Sequence, residues 1–489
     1  MIRFAKLHYA YPATGWVLKG IDLQIGNGEY VVIYGANGSG KSTLCYLTNG
    51  LIPHFFGGTF IGTVRLNHRN TKECRVSDLL PEVGLVLQNC DAHLFNSTVG
   101  SEIAFGLESL GLDPSEIDGR IREIAARVKI EKLLARSPTA LSGGEKRLVA
   151  IASVLCLDPP LLVLDEPYAS LDWEGIRRVR SLLERIHRSG KTIIVIEQKT
   201  VGFLQDATRC IIMDRGKIVF DGLPGAAGAA LSERHLMPHY PKRISRNVQG
   251  GKTILQVENL TYQIEDRIVL KHISLEVKQG ESIAIIGKNG AGKTTLIKHL
   301  NGILGGGSQG VRFGDKLVEK MQPAERASNI GVSFQNPNDQ FFKSKVRDEI
   351  LVGPRIQKRG EDEWIGNVFD MFHLRPLLER APYQLSEGEK KRVAIASIVS
   401  IRPNILVLDE PTLGQDGASR EGLLRLLATF EEHRFTIIIV THDLDFAEAA
   451  ADRWLVLFDG KLVADGTPSD LRSNRQLIEM GAIENVAVT

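Results

Sequence analysis

Cysteine, aromatic side chains and long apolar runs are scarce in this 489-residue chain, and each scarcity removes a class of protein. The five cysteines (Cys45, Cys74, Cys90, Cys156 and Cys210) are odd in number, irregularly spaced and without a CxxC pair. Neither a disulfide framework nor a zinc site is expected, and the reading is of a reducing, cytosolic compartment. No apolar run approaches the roughly 18–20 residues that span a bilayer. The first fifteen residues, MIRFAKLHYAYPATG, lack the apolar core of a secretory signal. An excess of positive charge is missing too: 60 basic against 58 acidic residues leave +2, which disfavours wholesale nucleic-acid binding. What is present is ordinary globular material, 43% apolar and 24% charged with a mean hydropathy of −0.06, enough for buried cores. Length alone suggests about three domains.

Internal repetition revises that number. VVIYGANGSGKSTLCYLTNGL (31–51) recurs as IAIIGKNGAGKTTLIKHLNGI (283–303), LSGGEKRLVAIASVL (141–155) as LSEGEKKRVAIASIV (385–399), and LLVLDEPYASLD (161–172) as ILVLDEPTLGQD (405–416). The offset is 252 residues at the first pair and 244 at the other two, so one domain occurs twice. The expected division is a first domain over 1–222, a linker over 223–252 and a second domain over 253–489. The Gly/Ala/Pro-rich start of the intervening stretch, without helical or alternating periodicity, reads as a tether. Lys242, Arg243, Arg246 and Lys252 make it locally basic, with an anionic-lipid contact as the alternative.

Within each copy, short bounded apolar runs (VVIY, LLVL, TIIVI and CIIM; IAII, ILVL, TIIIV and WLVL) suit strands buried on both faces of a parallel sheet. Amphipathic stretches at 115–135 and 418–432 read as helices, and a hairpin is expected at Asp214–Lys217. The class is α/β.

Gly35, Ala36, Asn37, Gly38, Ser39, Gly40, Lys41 and Ser42, followed by Thr43, fit G-x4-G-K-[ST] between a strand and a helix. Gly287, Lys288, Asn289, Gly290, Ala291, Gly292, Lys293 and Thr294, followed by Thr295, repeat it. Such a loop turns successive N–H groups inward onto phosphate, backed by the helix N-terminus. Lys41 and Lys293 can reach the terminal phosphates, and Ser42 and Thr294 can ligate Mg²⁺. Asp165 and Asp409 end apolar strands, where a carboxylate can hold Mg²⁺. Glu166 and Glu410 follow directly, placed to orient and deprotonate an attacking water.

With LS-x-G-E between these elements, the chain resembles the ATP-binding-cassette (ABC) ATPase family over nearly its whole length, twice. The resemblance implies two tandem P-loop domains, each a mostly parallel sheet with an antiparallel subdomain and a helical subdomain, binding ATP and Mg²⁺. It implies an intramolecular pseudo-dimer in which each ATP lies between one phosphate loop and the opposite Ser142-Gly143-Gly144 or Ser386-Glu387-Gly388 segment. Those segments also read as capping boxes. Gln88 and Gln335 match the glutamine that contacts Mg²⁺ and the attacking water. Tyr11 resembles the aromatic that stacks on adenine; the second copy has Ile264 there, with Tyr262 nearby as a substitute or as packing. His442 matches the histidine that contacts the γ-phosphate, and Gln198 stands in its place in the first copy. Glutamine carries no proton charge at neutral pH.

The two ATP sites are therefore expected to differ, the one with Lys293 and His442 hydrolysing faster. Glu387 replaces a signature glycine. Aimed at a γ-phosphate about 6 Å away it would be repelled by roughly 3 kcal/mol at an effective dielectric near 20. The expected geometry is outward, favouring its helix N-terminus.

FQNPNDQFF (334–342), LQNCDAHLF (87–95) and the TVGSEIAFG and KVRDEILVG stretches resemble the ATPases of energy-coupling-factor (ECF) importers of vitamins, their precursors or cobalt and nickel ions. That implies a peripheral place on the cytoplasmic membrane face, with a transmembrane coupling protein and a membrane substrate-binding protein as partners, docked near the Gln88 and Gln335 loops, and no nucleic acid. A twin-cassette sugar-import ATPase, a ribosome-associated translation factor and a DNA-repair cassette are the alternatives.

Overall fold

The computed structural model describes residues 1–90, 93–198, 205–237, 240–241, 243, 251–304 and 310–484. The chain divides into two compact units, one built mainly from residues 1–238 and the other mainly from 239–488.

In the first unit a six-stranded sheet runs in the spatial order Lys217–Gly222, Arg209–Asp214, Tyr30–Gly35, Thr192–Glu197, Leu161–Asp165, Val83–Val86. Its neighbours are parallel except for the edge strand Lys217–Gly222. The central strands are buried along their whole length, as their uninterrupted apolar sequences require. Alternate residues serve opposite faces. Val31, Ile33, Val163 and Ile194 join a core with Phe4 and Leu44, whereas Val32, Tyr34, Leu164 and Val195 join one with Val149 and Leu183. Each such aliphatic side chain stabilises the fold by about 1.5–3 kcal/mol. The first of these cores is closed by a four-stranded antiparallel sheet ordered Leu18–Ile25, Ile2–Ala10, Thr59–Leu66, Arg69–Asn70.

The second unit repeats both sheets. Its six strands run Ile330–Ser333, Ile405–Asp409, Thr436–Thr441, Ser282–Ile286, Arg453–Phe458, Lys461–Gly466, and its antiparallel sheet starts from the long pair Thr253–Ile264 and Arg267–Lys278. The hairpin expected at 214–217 is present, with Lys217 opposite Asp214 and left-handed φ at Arg215 (45°) and Gly216 (83°). Two successive positive φ values make the tight turn that matches strand twist. A Cβ on Gly216 would lie 2.1 Å from Val17 O, so glycine is required there for space as well. Asp459 and Gly460 form the same turn in the second unit.

Two expectations need correction. The helix foreseen over 115–135 is Pro114–Val128, ending where Lys129 turns left-handed (φ 64°); a 3-10 turn, Glu131–Leu133, follows. The stretch 223–252 is not an irregular tether throughout. Gly228–Glu233 is helical, and Ala227, Leu231 and Leu236 are buried in the first unit. Alanine, taken as linker composition, is also the best helix former. Arg243 does not face lipid: its guanidinium donates to both carboxylate oxygens of Asp452 (2.9 and 2.8 Å) and to Glu431, all in the second unit. Lys242 and Arg246 lie outside the described residues. Lys252 accepts, through its carbonyl, the Gln279 N–H (3.0 Å).

Candidate nucleotide sites

In each unit the phosphate loop joins a fully buried strand to a buried helix, Lys41–Thr48 in the first and Lys293–Leu300 in the second. Gly40 and Gly292 both have φ of 99°, so each helix starts from a left-handed glycine and leaves its first N–H groups without a side-chain cap. Lys41 Nζ donates to the carbonyls of Gly35 (2.7 Å) and Ala36 (2.9 Å); Lys293 Nζ does so to Gly287 (2.7 Å) and Lys288 (3.0 Å). Burial lowers the Lys41 pKa from its ordinary value. Each lysine thus bends back over its own loop, where an anion would find it.

Asp165 and Asp409 sit at strand ends and are buried. Among the described residues neither carboxylate oxygen of Asp165 has a well-formed hydrogen bond, although the Ser42 hydroxyl is near enough to favour its charged form; Oδ1 of Asp409 has none, and its Oδ2 accepts from Thr294 Oγ1 at 3.1 Å. Burial, then the neighbouring Glu410, pushes the Asp409 carboxyl up to about 6, and burial raises Asp165 as well. Orphaned buried carboxylate oxygens beside a hydroxyl and a phosphate loop are a donor set that fits a hard cation.

Glu166 and Glu410 both have φ of 48°, a left-handed backbone at a non-glycine residue, and both are buried. Such strain is held only where its surroundings fix it. Here the neighbours differ between units. Glu166 Oε2 accepts from Gln88 Nε2 (2.6 Å) and Oε1 accepts from Gln198 Nε2. Burial, then the Asp165 charge, raises its carboxyl. Glu410 Oε1 instead lies 2.9 Å from His442 Nδ1 and 4.0 Å from Lys293 Nζ, while Thr441 Oγ1 donates to Oε2 at 3.3 Å. The exposed Gln335 makes no side-chain hydrogen bond among the described residues.

One functional difference escaped sequence reading. The 244-residue offset sets Glu197 opposite Thr441, which adds a further buried carboxylate near Lys41 that the second unit lacks. Glu197 accepts the N–H groups of Tyr168 (3.2 Å) and Gln198 (3.3 Å). Arg147 was also missed. It donates to the carbonyls of Leu87 and Gln88, both at 2.9 Å, and so holds the first glutamine loop; its counterpart Lys391 reaches the Leu413 carbonyl instead.

Ser142 and Ser386 cap helices Gly143–Leu155 and Glu387–Val399, each in a full capping box with Glu145 or Glu389. A Cβ on Gly143 or Gly388 would meet nothing within 4 Å, so packing inside each unit does not demand glycine there. The Glu387 side chain is 63% exposed and pairs with Lys390 at 2.8 Å. Tyr11 bonds through its hydroxyl to Thr43 Oγ1 (3.1 Å) and stands edge-on to Tyr9 and Phe56. Tyr262 packs edge-on to the buried His299 at 4.4 Å, within the core, while Ile264 is exposed.

Comparison with known proteins agrees with this architecture. The family model described as ABC transporter matches residues 18–169 and 270–413. An ABC transporter ATP-binding protein of Methanosarcina mazei is 32% identical over the whole of both chains. Another, of Treponema denticola, is 36% identical over 95% of this chain and 97% of its own. Among solved structures, the archaeal ribosome recycling factor aABCE1, in complex with the ribosomal stalk protein aP1, superposes with a TM-score of 0.65 at 21% identity, covering 95% of this chain and 90% of that one. At that identity the likeness is one of fold.

Proposed function

The chain belongs to the ABC transporter family, as two fused ATP-hydrolysing cassettes, and from that premise we propose that it energises substrate import as the ATPase of an ECF-type membrane transporter. The cassettes proper are 1–222 and 253–489, and they close head to tail. ATP is held by Lys41 with its loop and by Lys293 with its loop, each γ-phosphate meeting the opposite Ser142 or Ser386 helix N-terminus. Ser42, Gln88 and Asp165 would hold Mg²⁺ at one site and Thr294, Gln335 and Asp409 at the other, where the ion would neutralise charge on the terminal phosphates. Glu166 and Glu410 position water. His442 gives the second centre a partner able to carry a proton, and that centre turns over faster.

The observation that carries a membrane role is a pair of exposed aromatics. Phe95 (65% exposed) and Phe342 (66% exposed) occupy equivalent places just after the two glutamine loops. An isolated exposed phenylalanine is ordinary, but the same one retained in both copies fits a partner surface with two similar docking elements. No helix among the described residues is long and apolar enough to cross a membrane, so the path would come from partners. These are a transmembrane coupling protein and a membrane substrate-binding protein, with this chain peripheral on the cytoplasmic face.

Affinity purification of the tagged chain from detergent-solubilised membranes is the test. Integral membrane proteins should copurify and be lost on Phe95→Asp with Phe342→Asp. Ribosomes or DNA copurifying without any integral membrane protein would overturn the import reading.

A further inference from the structure

The first unit carries a second concave site, of about 550 Å³, between helices Pro114–Val128 and Trp173–Arg188. Its floor is apolar, from Val128, Leu148 and Leu182, and its walls bear Lys129, Arg177, Arg178 and Arg185. The one carboxylate in the lining, Glu174, is paired with Arg178. Among the described residues Arg185 donates to the Arg127 carbonyl (3.3 Å) and has no ion-pair partner, and neither have Lys129 and Arg177. Three exposed cations with no carboxylate partner among the described residues therefore line one half-open cleft of a volume typical of small-molecule sites.

The internal duplication supplies a control. At the 244-residue offset, Lys129, Arg177, Arg178 and Arg185 become His373, Glu421, Gly422 and Thr429. Leu148 becomes Arg392, which donates to the Phe372 carbonyl (3.2 Å). The fold therefore does not need these cations, and one copy alone has them.

We propose that this cleft binds a soluble phosphorylated small molecule, its phosphate on Arg177, Arg185 and Lys129 and its apolar portion on Leu148 and Leu182. Guanidinium groups are suited to bidentate phosphate recognition. The placement gives binding a consequence. Leu148 lies on the helix that Ser142 caps, and Arg177 lies on the helix that begins seven residues after Glu166. An occupant touches both helices and so adjusts ATP turnover. The inference needs only cassette chemistry and is independent of the import reading.

The probe is inorganic pyrophosphate, titrated calorimetrically into the full chain with its ATP sites saturated by a non-hydrolysable ATP analogue and excess Mg²⁺. One saturable site is expected, weakened about tenfold or more by Arg177→Ala with Arg185→Ala, weakened less by the two Arg→Lys changes, and unaffected by Arg425→Ala in the other unit. Pyrophosphate should alter ATP turnover of the wild type but not of the double alanine variant, whose basal turnover should match. Both arginines are exposed, so the variant should melt as the wild type does. No saturable binding, or binding indifferent to the double variant, would overturn the proposal. So would binding to phosphatidylglycerol vesicles that the double variant abolishes while pyrophosphate fails to bind, which would make the cleft a membrane contact.

Discussion

Removing the Asp409 charge should stabilise the nucleotide-free protein, and more so as pH rises from acid to neutral. The Asp409 carboxyl is pushed up to about 6 from 3.8 because it is buried and stands next to Glu410. A carboxyl raised in the folded state makes its full contribution to stability below its unfolded pKa. That contribution is lost as pH rises through the folded one. The gap of about two pKa units corresponds to roughly 3 kcal/mol at full ionisation, of which about 2 kcal/mol develops between pH 4.5 and 8. Asp409→Asn keeps an oxygen for the Thr294 hydroxyl and removes the titration. Melting of the second unit can be followed through Trp454, which is fully buried and pairs in register with Ala284 of the phosphate-loop strand. At roughly 2–4 °C per kcal/mol, the variant's advantage in EDTA should widen by about 4–8 °C from pH 4.5 to pH 8. Mg²⁺ with ATP should stabilise the wild type and narrow the gap. A difference between variant and wild type that stayed constant across this range would refute the reasoning.

In single-turnover hydrolysis, Glu410→Gln should cost roughly a hundredfold or more and Glu166→Gln much less; equal losses would refute the asymmetry. Gln198→His, made in the Glu410→Gln background, should raise the residual rate by giving Glu166 a partner that can hold a proton. Gly143→Ala should leave the melting temperature unchanged or slightly higher, since its Cβ meets nothing, yet lower ATP turnover if a nucleotide approaches that helix end. Ser386→Ala should destabilise by about 1 kcal/mol through loss of the cap, seen as a lower melting temperature without nucleotide.

What the sequence made legible was whatever depends on local order. The phosphate loops follow from glycine spacing, the central strands from unbroken apolar runs, and the duplication from recurrence of both. Contacts made by residues far apart in the chain were not legible. Arg147 reads as one more helix cation, and only the fold brings its guanidinium to the Leu87 and Gln88 carbonyls. Glu197 looks like a polar end to a strand until the sheet sets it near Lys41. Helix ends depend on a single backbone flip: nothing in the amphipathic pattern of 115–135 marks Lys129 as the left-handed residue that closes the turn. The pairing of Glu387 with Lys390 depends only on i,i+3 spacing along one helix.

The left-handed backbone at Glu166 and Glu410 has an evolutionary consequence. Glycine adopts that conformation freely, whereas an L side chain costs about 1–2 kcal/mol there. Glutamate and glycine codons differ at one base, so a single mutation at either position yields a cassette whose chain is more relaxed and whose carboxylate is gone. Drift governed by folding alone would erase both. Two glutamates standing in the same uphill conformation mean that each unit holds a carboxylate at this turn against the backbone's own preference.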